Sequence, residues 1–197
     1  MRLILASGSQ IRSQLLTNAG IAHEVQVARV DEEAIRAGLA AEEASPRDVA
    51  DALAEYKARK VGMKHLDALT LGCDQIAELD RVILTKPETP DMARDQLAAL
   101  SGKTHRLLSA AVIYHDGEPV WRHVGVVRMQ MRVLSSAYID DYVTRNWESI
   151  RHSVGAYKLE EEGVRLFTQV AGDYFNVLGL PLTELISYLI VRGDLPT

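Results

Sequence analysis

Three small residues near the start of the chain, Ser7, Gly8 and Ser9, form a candidate anion-binding turn. They follow an apolar run at 3–5 and precede a segment with apolar residues at four-residue spacing, which predicts a strand, a tight turn and a helix. Backbone N–H groups at a helix start favour a negatively charged ligand. A lone arginine, Arg12, follows three residues later. The alternative is an ordinary turn in which Ser9 only caps the helix.

Asp74 is the acid whose place in the sequence best suits catalysis. It follows Gly72 and the apolar stretch ALTLGC, which predicts a buried strand that ends near Asp74. Sheets of α/β proteins place their sites at such strand ends. A carboxylate there can hold a divalent metal or deprotonate a water molecule. A turn or cap aspartate is the alternative, and spacing alone leaves both open.

Lysines at two places in the chain could meet phosphate charge. Lys86 follows a predicted strand and is held by Pro87. The helix predicted to begin at Pro46 has an apolar stripe that places Lys60 nearer the centre of the buried face than Lys57. The residues of that stripe are Val49, Ala52, Leu53, Tyr56 and Met63.

Other common catalytic patterns do not occur in the sequence. The stretch SGKTH at 101–105 lacks the earlier glycine of a P-loop, and no nucleophile-elbow pattern surrounds Ser7 or Ser9. The six histidines and the single cysteine, Cys73, show no zinc-ligand spacing. Three acids at 31–33 are interpreted as the solvated start of a helix, where acids suit the helix dipole.

Composition and charge exclude several classes of protein. The chain has 197 residues, of which 47% are hydrophobic and 25% charged, as in ordinary globular proteins. A net charge of −5 without a basic block argues against a nucleic-acid polymer as partner. No apolar run approaches the roughly 20 residues of a membrane span, and no secretory-signal pattern is present. A single cysteine forms no internal disulfide, so we expect a reducing cytoplasm.

Predicted strands and helices interleave along the whole chain, without a repeat or a long linker. A strand near 2–6 and a helix near 10–19 open the chain. Thr89 with Pro90 caps a later helix. A long strand pair turns at Asp116-Gly117, and an apolar helix closes the chain. This order predicts the α/β class, with a mixed sheet and flanking helices.

Eight sequence blocks occur in an order that resembles the Maf family, the septum-formation-inhibitor-like nucleoside triphosphate pyrophosphatases. They are LILASGSQIR at 3–12, VDE at 30–32, EYKA at 55–58, LGCDQI at 71–76, ILTKP at 83–87, LSGKTH at 100–105, GAYK at 155–158 and GDYFNVLGLPL at 172–182. The resemblance implies a single Maf-like domain over residues 1–197, a fold related to the inosine triphosphate pyrophosphatases with a cleft between two lobes, and a homodimer. It implies Mg²⁺-dependent hydrolysis, with Mn²⁺ as a possible substitute, of a nucleoside triphosphate to a monophosphate and pyrophosphate.

The family's site residues fall on matching positions of this chain. The Ser7-Gly8-Ser9 turn and Arg12 fall on its phosphate-binding opening, Lys57 and Lys86 on its cleft lysines, Glu32 on its acidic metal or catalytic position, and Asp74 on its catalytic aspartate. The resemblance therefore favours Lys57 over Lys60. Attack on a phosphoryl group needs its charge neutralised and a water aligned. Mg²⁺ prefers one or two carboxylates together with phosphate oxygens, which Glu32 and Asp74 can supply.

Departures from the family pattern bear on the preferred nucleotide. Gln10-Ile11-Arg12 stands where the family commonly has Pro-Arg-Arg, so one cation is missing. Gln75 and Glu160 differ from the threonine and glutamine of the dTTP/UTP branch and resemble the branch that acts on 7-methyl-GTP. A carboxylate accepts hydrogen bonds from guanine N–H groups and attracts a cationic 7-methylguanine ring, whereas it repels pyrimidine carbonyls. We therefore expect Gln75 in the substrate site and Glu160 at the base.

Two other functions compete with this interpretation. One is a pyrophosphatase specific for dTTP and UTP, and the other is a nucleotide-binding regulator of septum formation with little turnover. The pair Glu32 and Asp74 favours an enzyme, because a pure binder has no need of a water-activating carboxylate. For Glu160 the alternative is a solvated acid within a run of three glutamates.

Overall fold

A computed structural model describes residues 1–196 of the chain. Its strands are β1 (Leu3–Leu5), β2 (Glu24–Val25), β3 (Leu69–Leu79), β4 (Val82–Leu84), β5 (Thr104–His115), β6 (Glu118–Met131) and β7 (Phe167–Ala171). Its α-helices are α1 (Gln10–Asn18), α2 (Glu32–Ala41), α3 (Pro46–Gly62), α4 (Pro90–Leu100), α5 (Ser136–Ile150), α6 (Tyr174–Val177) and α7 (Leu182–Arg192). Within residues 1–196 no helix has the length and apolar character that crossing a membrane requires.

The seven strands form one mixed sheet in the order β2-β1-β3-β5-β6-β7, with β4 paired to β3. β1 runs parallel to β2 and to β3, whereas β4 is antiparallel to β3 and β7 to β6. Parallel neighbours need a crossover connection, and α1 supplies it between β1 and β2 while α2 and α3 lie between β2 and β3. The predicted α/β class, with a mixed sheet and flanking helices, is confirmed.

The described chain folds into two compact units. The first contains Met1–Gln75, Leu108–Gly125 and the described residues from Asp173 onward, and the second contains Ile76–Leu107 and Val126–Gly172. The single domain expected over residues 1–197 stays a prediction.

Local sequence signals set the starts of several helices and one strand-to-strand turn. Ser9, Ser45 and Thr89 each cap a helix by accepting a hydrogen bond from a backbone N–H three residues further on. Pro46 and Pro90 begin α3 and α4, positions at which a missing N–H costs nothing. The long strand pair turns at 116–117 as predicted.

β1 buries both of its faces in the first unit, because successive side chains of a strand point to opposite sides. Leu3 and Leu5 pack into a cluster that contains Leu16 of α1 and Leu185 of α7. Ile4 points the other way, into a smaller cluster that contains Val61 of α3. β1 is therefore covered on both faces, by α1 and α7 on one side and by α3 on the other.

α3 approaches β3 most closely through small residues, and the predicted stripe is only partly buried. Its Val49 and Leu53 are buried as predicted. A Cβ atom on Gly72 would lie 2.2 Å from the carbonyl oxygen of Ala54 and 2.5 Å from the backbone nitrogen of Ala58, so the two backbones are in close contact. Tyr56 and Met63, which the stripe placed inside, are 48% and 54% exposed. The predicted stripe followed large apolar side chains, but a glycine on the strand lets an alanine face of the helix lie closest.

The second unit buries His105 among aromatic side chains. His105 Nε2 lies 2.6 Å from the hydroxyl oxygen of Tyr157, and its ring centroid is 5.9 Å from that of Phe167. Burial lowers the pKa of His105 to about 4, so the ring is neutral at pH 7. The histidine of the SGKTH stretch is therefore part of a packed core.

Candidate active site

Four charged side chains of the first unit, here called the charged cluster, meet at one point. Lys57 Nζ lies 2.7 Å from Asp74 Oδ1 and 2.8 Å from Glu32 Oε1. Arg36 Nη2 lies 3.6 Å from Asp74 Oδ2 and 3.8 Å from Glu32 Oε2. Each carboxylate therefore turns one oxygen towards the lysine and the other towards the arginine.

Three elements of the first unit bring these side chains together. β3 carries Asp74, α3 carries Lys57, and α2 carries both Glu32 and Arg36. Residues four apart lie on the same face of a helix, so one turn of α2 places a carboxylate and a guanidinium group side by side. Asp31 caps α2 through its side chain and fixes where that turn begins.

The prediction that the strand ends near Asp74 is wrong, because β3 continues to Leu79. Its parallel pairing with β1 does end here, since Leu5 with Leu71 is the last pair in that register. The later part of β3 pairs with β4 in a hairpin, which keeps the strand extended. Asp74 thus lies beyond the end of the parallel pairing, and this is the feature that places the acid beside the turn after β1.

Lys57, and not Lys60, is the inward lysine of α3. Lys57 is 8% exposed, whereas Lys60 is exposed and donates to the backbone carbonyl of Arg29. The helical-wheel preference for Lys60 is therefore wrong, for the same reason as the stripe from which it came. The position that matches the family motif is the one that reaches the two carboxylates.

The Ser-Gly-Ser turn is a compact hydrogen-bonded unit at the start of α1. Ser7 Oγ accepts hydrogen bonds from the backbone N–H of Ser9 and from Arg12 Nη1, both at 3.2 Å. Ser9 Oγ accepts from the backbone N–H of Arg12. Ser7 is buried while Gly8 is exposed, so the turn is anchored at its first residue and open at its tip.

Arg12 ties this turn to β3 and to the loop before α7. Its Nη1 also donates to the carbonyl of Cys73 at 3.1 Å, and its Nε donates to the carbonyl of Gly179 at 2.8 Å. Nη2 makes no hydrogen bond within residues 1–196, which leaves two N–H groups for an anion. The Cys73 thiol is buried, and burial raises its pKa to about 11, so it is no nucleophile at neutral pH.

The carboxylate pair has the character of a site for a divalent cation. Asp74 Oδ2 is buried and has no hydrogen-bond partner among the described residues, and a buried polar atom of that kind calls for a ligand. No group of three or more His, Cys, Asp or Glu within residues 1–196 could hold a metal. Mg²⁺ prefers one or two carboxylate ligands and takes its other ligands from water and phosphate groups. Glu32 and Asp74 fit this preference.

Gln75, next to Asp74, is bound to the protein by its amide nitrogen. Its Nε2 donates to the carbonyls of Asn176 at 3.0 Å and Val177 at 2.9 Å, and it lies 3.0 Å from the hydroxyl of Ser109. The amide N–H groups are therefore committed within the first unit. A role of Gln75 in substrate binding stays a prediction.

Lys86 and Glu160 belong to the second unit. Both are exposed. Glu160 makes no hydrogen bond or ion pair with any residue from 1 to 196, whereas Glu161 and Glu162 both bond to side chains of α5. Of the three glutamates in the run, Glu160 has its carboxylate available, and the predicted roles of Glu160 and Lys86 stay predictions.

Arg36 is the member of the charged cluster that no motif indicated. Its only signal in the sequence is the four-residue spacing from Glu32, which is typical of ion pairs on a helix surface. Such pairs are common and weak when solvated. This pair differs from a solvated one because Arg36 also faces the buried carboxylate of Asp74.

Taken together, these residues of the first unit offer cations, a helix start and a pair of carboxylates. Cations and backbone N–H groups can hold the oxygens of a phosphate group. A carboxylate can accept the proton of an attacking water. This combination suits hydrolysis at phosphorus, where positioning and charge neutralisation supply most of the rate.

Comparison with known proteins gives matches along almost the whole chain. A family model described as Maf-like protein matches residues 2–191. A nucleoside triphosphate pyrophosphatase of Roseobacter denitrificans is 61% identical over 98% of this chain and 98% of its own length. A 7-methyl-GTP pyrophosphatase of Mesorhizobium japonicum is 45% identical over 98% of this chain and 96% of its own length. A crystal structure of a nucleoside-triphosphatase / dITP/XTP pyrophosphatase from Mycobacterium abscessus matches 66% of this chain and 73% of its own, at 17% identity and a TM-score of 0.37, too low a likeness to transfer anything.

Proposed function

Because the chain belongs to the Maf family, we propose that it hydrolyses a modified or non-standard nucleoside triphosphate, with 7-methyl-GTP as the first candidate. Its relatives carry the name nucleoside triphosphate pyrophosphatase, and the chain is an enzyme of that class, a hydrolase. One water and one nucleoside triphosphate give a nucleoside monophosphate, pyrophosphate and a proton. The observation that carries the proposal is the buried, unbonded Asp74 Oδ2 within the charged cluster.

Different residues of the first unit bind the triphosphate, position the carboxylates and accept the proton of water. The open tip of the Ser-Gly-Ser turn and the unused N–H groups of Arg12 Nη2 receive phosphate oxygens. Lys57 holds the like charges of Glu32 and Asp74 close together. A carboxylate of this pair accepts the proton of the attacking water, the phosphoanhydride bond between the α- and β-phosphates breaks, and pyrophosphate departs.

Glu32 and Asp74 are the residues that would hold the divalent cation, Mg²⁺ in the first instance and Mn²⁺ as a substitute. When bound, such a cation neutralises phosphate charge and polarises the bond to be broken. It needs carboxylate oxygens that are not already hydrogen-bonded, and Asp74 Oδ2 has no hydrogen-bond partner within residues 1–196. The homodimer and the cytoplasmic location expected from the sequence stay predictions.

The proposal is tested by pyrophosphate release with Mg²⁺ from UTP, dTTP, CTP, GTP, ITP and 7-methyl-GTP. We expect 7-methyl-GTP to have the highest kcat/KM, because the exposed Glu160 offers a carboxylate suited to a cationic guanine ring. A preference for UTP or dTTP would make the enzyme pyrimidine-specific instead. Tight nucleotide binding without release from any of the six would favour the regulator of septum formation.

Glu160 is expected to contribute to the choice of base. Glu160→Gln should lower kcat/KM for 7-methyl-GTP about tenfold and change kcat/KM for UTP little, since one charge-assisted hydrogen bond is worth about one factor of ten. Glu148→Gln, which removes another exposed acid, is the matched control and should leave the ranking as it is. An unchanged ranking in Glu160→Gln would remove Glu160 from the site.

A further inference from the structure

Arg36 occupies one of the two sides of the carboxylate pair. Lys57 lies at Asp74 Oδ1 and Glu32 Oε1, and Arg36 faces Asp74 Oδ2 and Glu32 Oε2. Both cations are needed for neutrality, because two carboxylates and two cations sum to zero. Because the two cations together face both oxygens of each carboxylate, a divalent cation held by this pair would compete with one of them for those oxygens.

The two cations are held with different strength. The Lys57 distances of 2.7 and 2.8 Å are those of charge-assisted hydrogen bonds, and the lysine side chain is 10% exposed. The Arg36 distances of 3.6 and 3.8 Å exceed hydrogen-bond length, and the arginine side chain is 27% exposed. Asp74 Oδ2, the oxygen that Arg36 faces, makes no hydrogen bond at all within residues 1–196. Arg36 is thus the cation that is easier to displace.

α2 allows such a displacement. None of its residues is buried, so a change in the Arg36 side chain, or a small shift of the helix, disturbs no packed core. A guanidinium that leaves the carboxylates is a strong ligand for phosphate oxygens. In the proposed function, the polyphosphate of the substrate would bring such oxygens to the same carboxylates.

We propose that, in the nucleotide-free enzyme, Arg36 covers Asp74 Oδ2 and Glu32 Oε2, the oxygens that a divalent cation would use. Binding of polyphosphate then displaces Arg36 from these oxygens. The inference rests on the proposed function for the identity of that polyphosphate. Without nucleotide, a divalent cation binds weakly, because the charged cluster is neutral and Arg36 covers two of its carboxylate oxygens. A cation that arrives with the nucleotide brings the phosphate oxygens that receive Arg36, so metal and nucleotide bind cooperatively.

Binding of Mn²⁺ to the nucleotide-free protein tests the inference without any turnover. The loss of the free Mn²⁺ signal in electron paramagnetic resonance gives the Kd for wild type, Arg36→Gln, Arg36→Lys and Arg47→Gln. We expect Arg36→Gln to bind Mn²⁺ about tenfold more tightly than wild type, since one competing charge is worth about one factor of ten. Arg36→Lys keeps the charge and should stay within about threefold of wild type.

Arg47→Gln is the matched control for charge alone. Arg47 is exposed in the first turn of the neighbouring helix α3, and it has no hydrogen bond or ion pair within the described residues. Its replacement should leave the Kd for Mn²⁺ within about twofold of wild type, because exposed charges at a distance are screened. An equal gain in both glutamine variants would reduce the effect to net charge and overturn the inference.

Equal Mn²⁺ affinity in wild type and Arg36→Gln, including no measurable binding by either, would also overturn it. The KM for the Mg²⁺–nucleotide complex gives a second readout, which should rise in Arg36→Gln because a phosphate ligand is lost. Failure of the proposed function is recognised separately, as absence of pyrophosphate release from the wild-type protein. The Mn²⁺ comparison does not depend on that result.

Discussion

Asp74→Asn should lower pyrophosphate release by between about 10² and 10⁴-fold while the protein keeps its fold. Asparagine has the shape of aspartate but neither its charge nor its basicity. In the proposed mechanism, the change removes one of the two carboxylates that would hold the divalent cation and one of the two that could accept the proton of the water. Lys57 keeps Glu32 as an ion-pair partner at 2.8 Å, so no unpaired buried charge is left behind.

The measurement is the steady-state rate of pyrophosphate release, together with the thermal unfolding midpoint of the same preparations. Asp95→Asn is the control, because Asp95 is an exposed acid of α4 without a hydrogen bond or ion pair among residues 1–196. The control should keep the wild-type rate. A rate for Asp74→Asn within tenfold of wild type, with an unchanged unfolding midpoint, would move the catalytic role to another residue.

Short-range signals were sufficient for much of the fold. A capping side chain followed by proline marks the starts of α3 and α4, because the first turn of a helix has fixed hydrogen-bonding needs. The turn at 116–117 is likewise determined by its own residues. Asp74 could be found for a related reason, since the acid follows an apolar strand, although that strand continues into a hairpin.

Features that depend on tertiary contacts were not accessible from the pattern. Gly72, which lies on β3, determines the buried face of α3, because its missing side chain lets Ala54 and Ala58 approach the strand. Lys57 lies on the same buried face of the helix. Arg36 gains its importance from Asp74, 38 positions further along the chain. Gln75 has its amide nitrogen bound to carbonyls of α6, about 100 positions away. Periodicity has no information on such partners.

Gly72→Ala is the second change with a large expected effect, and it acts on the packing that brings Lys57 to Asp74. The added Cβ would lie 2.2 Å from the carbonyl oxygen of Ala54 and 2.5 Å from the backbone nitrogen of Ala58. These are backbone atoms of a helix and cannot rotate away, so α3 must move from β3. We expect the free energy of unfolding to fall by about 3 kcal/mol or more, the upper range for overpacked cores.

Thermal unfolding measures this loss as a drop in midpoint of about 6 to 12 °C for a chain of this size. Gly38→Ala is the matched control, because a Cβ on this exposed glycine of α2 meets nothing within 4 Å. That change should leave the midpoint unchanged or raise it slightly, since alanine is the better helix former. A midpoint for Gly72→Ala within about 2 °C of wild type would mean that α3 moves away from β3 without loss of stability. Pyrophosphate release would then decide whether Lys57 still reaches Asp74, because a helix that has shifted lengthens their 2.7 Å ion pair and lowers kcat.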